Sequence, residues 1–211
     1  MSIVVPVGDM RLLDYRDGSI ERVYALLQET LGQSNVEDID SFYLTTSLAT
    51  DGAILPKLVG AYKDGELVGA SLGLYLRKLN AGIILYSGVR ESYRRRGFYR
   101  ELRISLLFEL LKCSSSGLGF VLSEIDESHW LLEKYLNNWG AFLAPCNYVQ
   151  PSVQGLRRRR ISLVVGPMTQ KRAEIIEDLP AIIREVFRGV YRIAEADSHP
   201  DFRHAVESLH T

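Results

Sequence analysis

Apolar side chains at Ile20, Val23, Tyr24, Leu27 and Leu31 recur at the three- and four-residue spacing that lines one face of a helix. Gly32 is placed to stop that helix, and Asp17-Gly18-Ser19 ahead of it offers a turn and an N-cap. Met10 to Tyr15 reads as a short strand before the turn. A looser repeat, Ile39, Phe42, Tyr43 and Leu48, predicts a second helix over Val36 to Leu48. The pattern then changes. Lys57 to Tyr62 and Leu67 to Leu76 are rich in strand formers, and Asp64-Gly65 between them is a hairpin signal. Asn80-Ala81-Gly82 makes another turn, and Ile83 to Val89 returns as the next strand of an antiparallel meander.

Helical spacing resumes at Tyr99, Leu102, Leu106, Leu107, Leu110 and Leu111, with Arg103 at the edge of the apolar face. Ser114 to Gly117 closes this helix, and Gly119 to Ile125 reads as a buried strand. A strand–helix–strand unit of this length predicts a right-handed parallel crossover. Trp130 to Trp139 is the next helix, carrying Leu132, Tyr135, Leu136 and Trp139 on one side and ending at Gly140. Phe142 to Val149 and Arg160 to Val165 read as the last strands, joined by a loop over Gln150 to Gly155. The rest is helical. Pro180 stands near a helix start, and Ile183, Val186, Phe187, Val190, Tyr191 and Ala194 mark its buried face. Ser198-His199-Pro200 opens a short helix toward Leu209. This tail shows little chemistry of its own and reads as packing on the sheet or on a second copy of the chain.

A chain of 211 residues fits one large domain, or one domain with an appendage. With 46% hydrophobic and 24% charged residues it has the makings of a globular core. A formal net charge of -1 argues against bulk attraction to nucleic acid or an anionic membrane, so its basic clusters act locally. Cys113 and Cys146 are too few for a disulfide framework and point to a reducing compartment. Met1 to Pro6 lacks the basic start of a signal peptide, and no apolar run is long enough to span a bilayer. These features suggest a cytoplasmic location.

The candidate chemistry centres on Tyr93-Arg94-Arg95-Arg96-Gly97-Phe98-Tyr99-Arg100. Strand, basic glycine-bearing turn and helix start, in that order, build an anion site. A helix N-terminus presents unpaired N–H groups and partial positive charge, to which a phosphate binds. Gly97 permits close backbone approach. The plainer reading is a solvated basic turn with a structural glycine. Arg157 to Arg160 reads mainly as a solvated charge run. Asp126 and Glu127 lie where they would cap the following helix. His129 lacks ligand-spaced partners, so no metal site is expected, and Cys146 lacks a histidine partner for a nucleophile.

The order β-α-α-β-β-β-α-β-α-β-β, with Arg94-x-x-Gly97-x-Tyr99 opening a helix and Tyr135 to Phe142 ending the next, resembles the GCN5-related N-acetyltransferase (GNAT) superfamily. Tyr99 stands where that family's loop has a small residue. The resemblance implies a mixed α/β (α+β) fold with a mostly antiparallel central sheet and flanking helices. It assigns residues 1–168 to an acyl-CoA-binding domain and 169–211 to a C-terminal helical extension, on the same domain or a partner subunit. It further implies an N-acyltransferase using acetyl-CoA as cosubstrate and a small-molecule or peptide amine as acceptor. By position, Gly88, Val89 and Arg90 would line the pantetheine arm. The turn from Arg94 through Arg95, Arg96, Gly97 and Phe98 to Tyr99 would hold the pyrophosphate. Tyr135 is the candidate acid for the thiolate, Glu124 and Glu91 are rival general bases, and Tyr148 and Gln150 would lie at the acceptor cleft. Two other readings stand beside this one: a noncatalytic acyl-CoA-binding regulator, and a binder of nucleic acid or an anionic partner through the two basic clusters. Balanced charge and the lack of interleaved stacking residues disfavour the last.

Overall fold

The computed structural model describes residues 8–13, 19–47, 52–153 and 155–210. Met1 to Pro6, Asp14, Tyr15, Asp17, Gly18, Leu48 and Gln154, which figure in the readings above, lie outside the described residues. The strands are β1 (Asp9–Leu13), β2 (Ile54–Lys63), β3 (Glu66–Leu76), β4 (Ala81–Val89), β5 (Phe120–Ile125), β6 (Phe142–Leu143), β7 (Val149–Gln150), β8 (Arg159–Arg160) and β9 (Ser162–Pro167). The helices are α1 (Ile20–Leu31), α2 (Ile39–Ser47), α3 (Phe98–Leu111), α4 (Trp130–Asn138), α5 (Arg172–Glu177), α6 (Leu179–Gly189) and α7 (Pro200–Glu207). Among the described residues a seven-stranded sheet runs β1-β2-β3-β4-β5-β9-β6, and only its β4–β5 pair is parallel. The meander and the crossover therefore form as their patterns imply. The Asp64-Gly65 turn has positive φ at both residues, which suits the twist of β2 and β3.

Four local readings need correction. Phe142 to Val149 is not one strand. β6 pairs with β9 for two residues, then the chain leaves the sheet at Ala144-Pro145, because proline has no N–H for the ladder. Val149-Gln150 instead pairs with Arg159-Arg160 in a separate ribbon. Likewise, the Arg160 to Val165 segment divides between β8 and β9. The cap of α4 is His129, whose Nδ1 accepts the Leu131 N–H at 3.3 Å, while Asp126 accepts from Ser128. Ala194 is exposed, because α6 already ends at Gly189.

Strand alternation sorts β5 between two layers. Phe120 and Leu122 face Ile182, Ile183, Val186 and Phe187 of α6, in a core that also takes Phe202 of α7. Val121 faces Leu102, Leu106 and Leu110 of α3 on the other side. Burying such side chains stabilises by roughly 1.5–3 kcal/mol each. α1 and α2 cover the first face over Leu58, Ala70 and Leu72. β4 carries a bulge: Leu72 pairs with Tyr86 but Gly73 with Ile84, leaving Leu85 extra. Past it, Tyr86 packs toward α1 and α2.

Candidate functional site

The bulge coincides with the end of the β4–β5 ladder. The two strands pair from Ala81–Phe120 to Ile84–Ser123 and no further, although β4 continues to Val89 and β5 to Ile125. A gap opens between them, with Ser123 at its apex and the Arg94–Tyr99 turn beyond its β4 edge.

That turn is built to expose its backbone. Arg95 (φ 61°) and Gly97 (φ 93°) are both in the left-handed region, and α3 starts at Phe98. A β-branched residue at Gly97 would be strongly disfavoured there. Phe98 is buried edge-on against Tyr93, which anchors the helix start. The N–H groups of Arg95 to Arg100 have no hydrogen-bond partner among the described residues. Arg94 Nε donates to the Val89 carbonyl at 3.1 Å, bracing the turn on β4. Arg96 lies over the Tyr93 ring, and Arg95 and Arg100 are exposed. Arg90 is engaged elsewhere, in ion pairs with Glu29 and Glu66. Gly88 is the point where α1 approaches β4: a Cβ there would clash with the Thr30 side chain.

Tyr99 spans the gap. Its hydroxyl reaches Ser87 on β4, its ring meets Trp130 of α4 edge-on, and it packs with the Ile125, Leu131 and Tyr135 cluster. Burial pushes its hydroxyl above the usual range, against the pull of Arg103 and Ser87.

At the apex, one face of β5 presents Ser123 to α3 and α4. Tyr135 Oη lies 3.1 Å from Ser123 Oγ, and Arg103 Nη2 donates to the same oxygen at 3.3 Å. The Arg103 guanidinium also sits over the Tyr135 ring, which packs edge-on with Trp139 at a centroid separation of 4.6 Å. Both Arg103 and Tyr135 are buried.

The opposite face presents Glu124. Tyr148 Oη donates to one carboxylate oxygen and Tyr191 Oη to the other. Gln150 Nε2 donates to Tyr191 Oη at 3.2 Å, and Arg159 Nε donates to Gln150 Oε1 at 2.8 Å. Arg159 also reaches Asn35 after α1. Burial pushes the Glu124 carboxyl up, while the two tyrosines and Arg159 pull it back. Tyr148 and Gln150, expected at an acceptor cleft, are buried with their polar groups turned onto Glu124, Tyr191 and Arg159. Glu91 is exposed in the 3-10 turn after β4. The arginine run is largely solvated, as its composition implies: Arg157, Arg158 and Arg160 are exposed, with surface ion pairs from Arg158 to Asp201 at 2.7 Å and from Arg160 to Glu127 at 3.5 Å, while Arg159 turns inward.

The places of three residues in the site went unread in the sequence. Tyr191, read from the sequence only as part of a packing face, brings the C-terminal segment into the Glu124 cluster. Glu37 is buried, accepts from Thr45, and is pushed up to about 7 by burial; its amide donates to Tyr86 Oη. Arg103 had a visible signal, a charge at the margin of an apolar helix face. Among the described residues no cluster fit for a metal ion occurs, and no helix is long and apolar enough to cross a membrane.

No protein-family profile matches the chain, and no curated protein does. Solved structures do. A GNAT-family protein from Bacteroides thetaiotaomicron aligns at TM-score 0.64 and 13% identity, over 88% of this chain and 99% of its own. The ribosomal-protein-S18-alanine N-acetyltransferase of Escherichia coli aligns at TM-score 0.54 and 16% identity, over 78% and 98%. The diaminobutyrate acetyltransferase of Paenibacillus lautus, solved with L-2,4-diaminobutyric acid and coenzyme A, aligns at 0.55 and 16%, over 77% and 96%. With its parallel β4–β5 pair, the gap beyond it and the basic turn, the chain has the fold of the GCN5-related N-acetyltransferases.

Proposed function

We propose that the protein is an acyl-CoA-dependent N-acyltransferase, moving an acetyl group from acetyl-CoA to a primary amine of a small molecule or peptide in the cytoplasm. One observation carries this reading. The gap between β4 and β5 has unpartnered helix-start amides at its mouth, and Tyr135 and Glu124 on opposite faces of its apex. The amides of Arg95 to Tyr99 suit a pyrophosphate, with Arg94 and Arg96 adding charge. The unpaired edge of β4 near Gly88, Val89 and Arg90 suits an amide-bearing arm added like a strand. Acetyl-CoA supplies the activated thioester. Glu124 takes the amine proton, directly or through water, and Tyr135 gives a proton to the departing sulfur. Glu124 is preferred to Glu91 because tyrosine donors hold it beside the gap, whereas Glu91 is exposed beyond it. Tyr148, Gln150 and Tyr191 then act as positioning residues. The two-part division, 1–168 with a helical extension over 169–211, is kept in this reading with Tyr191 as the extension's contribution.

Calorimetric titration with CoA, followed by thiol release from acetyl-CoA across a panel of amines, tests the proposal. Binding and amine-dependent release are expected; an absence of CoA binding overturns it. Binding without release for any amine favours the second reading, a noncatalytic acyl-CoA-binding regulator. Tyr99 is the observation behind that alternative, because its ring lies across the slot. Binding must then displace Tyr99, and the fraction of open molecules scales the apparent affinity. Tyr99→Ala removes the bar. The lost hydroxyl contact, worth about 0.5–1.5 kcal/mol, should tighten CoA binding by at least roughly 2–10-fold, measured as Kd by titration, with the lost ring packing adding to it. Weaker binding would show instead that the ring supports the ligand.

A further inference from the structure

Arg103 is 8% exposed and forms no ion pair among the described residues. Its neighbours are neutral: the Ser123 hydroxyl, the Tyr135 ring and the Tyr99 phenol. A buried cation without a counter-charge is costly, and buried charges are normally paired. Burial lowers its affinity for a proton, yet a guanidinium stays charged across the range where proteins fold. The position is also specific. Arg103 lies one turn into α3 from the Gly97 turn, and its Nη2 shares Ser123 Oγ with Tyr135, at the last β5 residue that pairs with β4. An anion placed at the apex of the gap, on the α3 face, would supply the missing charge.

We infer that Arg103 is a receptor for the CoA sulfur in its anionic state, a positioning residue that acts with Ser123 and Tyr135 at the apex. The inference rests on the acyl-CoA reading above. In the step it serves, the amine nitrogen bonds to the acyl carbon, the carbon–sulfur bond breaks, and its electron pair stays on sulfur. The amine proton leaves through Glu124 and the sulfur takes one from Tyr135; solvent then accepts the proton from Glu124 and returns one to the Tyr135 phenolate. Positive charge beside the sulfur stabilises the pair before that proton arrives. Ser123 fixes the guanidinium and the phenol relative to each other, so both address one atom.

The test compares CoA with desulfo-CoA, which lacks the sulfur, as ligands of the full chain from about pH 6 to about pH 10, around the ~8.5 of an ordinary thiol. Charge at the apex lowers the bound thiol's pKa. The extra affinity for CoA is then fully present above the free thiol's pKa and is lost as pH falls through the bound value. A one-unit depression corresponds to about a tenfold gain in CoA over desulfo-CoA at the alkaline end. Arg103→Met should flatten that ratio while desulfo-CoA affinity stays near the parent's, and Arg103→Lys should restore part of it. The parent's own pH dependence decides the matter even if the Met variant does not fold. A flat ratio in the parent, or a ratio that survives in a folded Met variant, overturns the inference while leaving the acyl-CoA site standing. A flat ratio accompanied by Arg103-dependent preference for succinyl-CoA over acetyl-CoA also overturns it, and assigns the anion to an acyl carboxylate. Failure of the parent to bind desulfo-CoA and CoA alike overturns the acyl-CoA reading itself, and this inference with it.

Discussion

Glu124→Gln is expected to slow single-turnover acyl transfer by ~10²–10⁴-fold, the usual contribution of general acid–base catalysis. Gln is close in shape to Glu and keeps an acceptor oxygen for Tyr148 or Tyr191, so the fold should survive. Acetyl-CoA affinity should stay near the parent's, because Glu124 faces away from the α3 side of β5. The pH dependence is a sharper check. A base works only when deprotonated, so the parent's rate rises as pH climbs through its pKa. Burial moves that limb above the ordinary glutamate value of 4.5, and the hydrogen bonds from Tyr148 and Tyr191 oppose the move. Tyr191→Phe removes one of those opposing donors and should carry the limb to higher pH. The Gln variant should lack it. A limb that persists unchanged in Glu124→Gln would belong to the amine acceptor, and Glu124 would lose its role as base.

Tyr135→Phe should produce a loss of similar size, ~10²–10⁴-fold in the single-turnover rate. The substitution keeps the ring beneath Arg103 and against Trp139 and removes only the hydroxyl facing Ser123. Its effect on stability should therefore be small, about 0.5–1.5 kcal/mol by denaturant unfolding, because Ser123 keeps Arg103 as a partner. Leaving-group chemistry separates a catalytic loss from a structural one. With an acetyl thioester whose thiol is more acidic than that of CoA, protonation of the departing sulfur matters less and the deficit should shrink. Equal single-turnover rates for parent and Phe variant would remove Tyr135 from the chemistry and leave solvent to protonate the thiolate.

Much of the frame was legible because its signals are local. The α1 and α3 faces follow from residues three and four apart, and the β2–β3 hairpin from Asp64-Gly65. The exposed turn at Arg94–Gly97 follows from a strand, a glycine and a helix start in succession. Each depends on interactions within a turn or two of chain, so neighbouring residues suffice to decide them. The Phe142 to Val149 segment misled for the same reason. Its apolar run looks like one strand, while Pro145 and the partners available at β9 and β8 divide it.

The candidate centre is another matter. Glu124 meets Tyr191 across 67 positions of sequence, and Arg159 meets Asn35 across 124. Neither pairing leaves a periodicity or a spacing to read. Whether Ser123 and Glu124 end on opposite faces beside an open gap depends on where the β4–β5 ladder stops. That point coincides with one extra residue, Leu85, in the β3–β4 register. Composition and local pattern determined which segments become helix or strand and where a basic turn opens a helix. The packing of α6 brought Tyr191 to Glu124, and that of α3 buried Arg103 against β5. Those choices lay with tertiary structure, because the free energy of placing a charge or a phenol depends on neighbours that only the completed fold supplies.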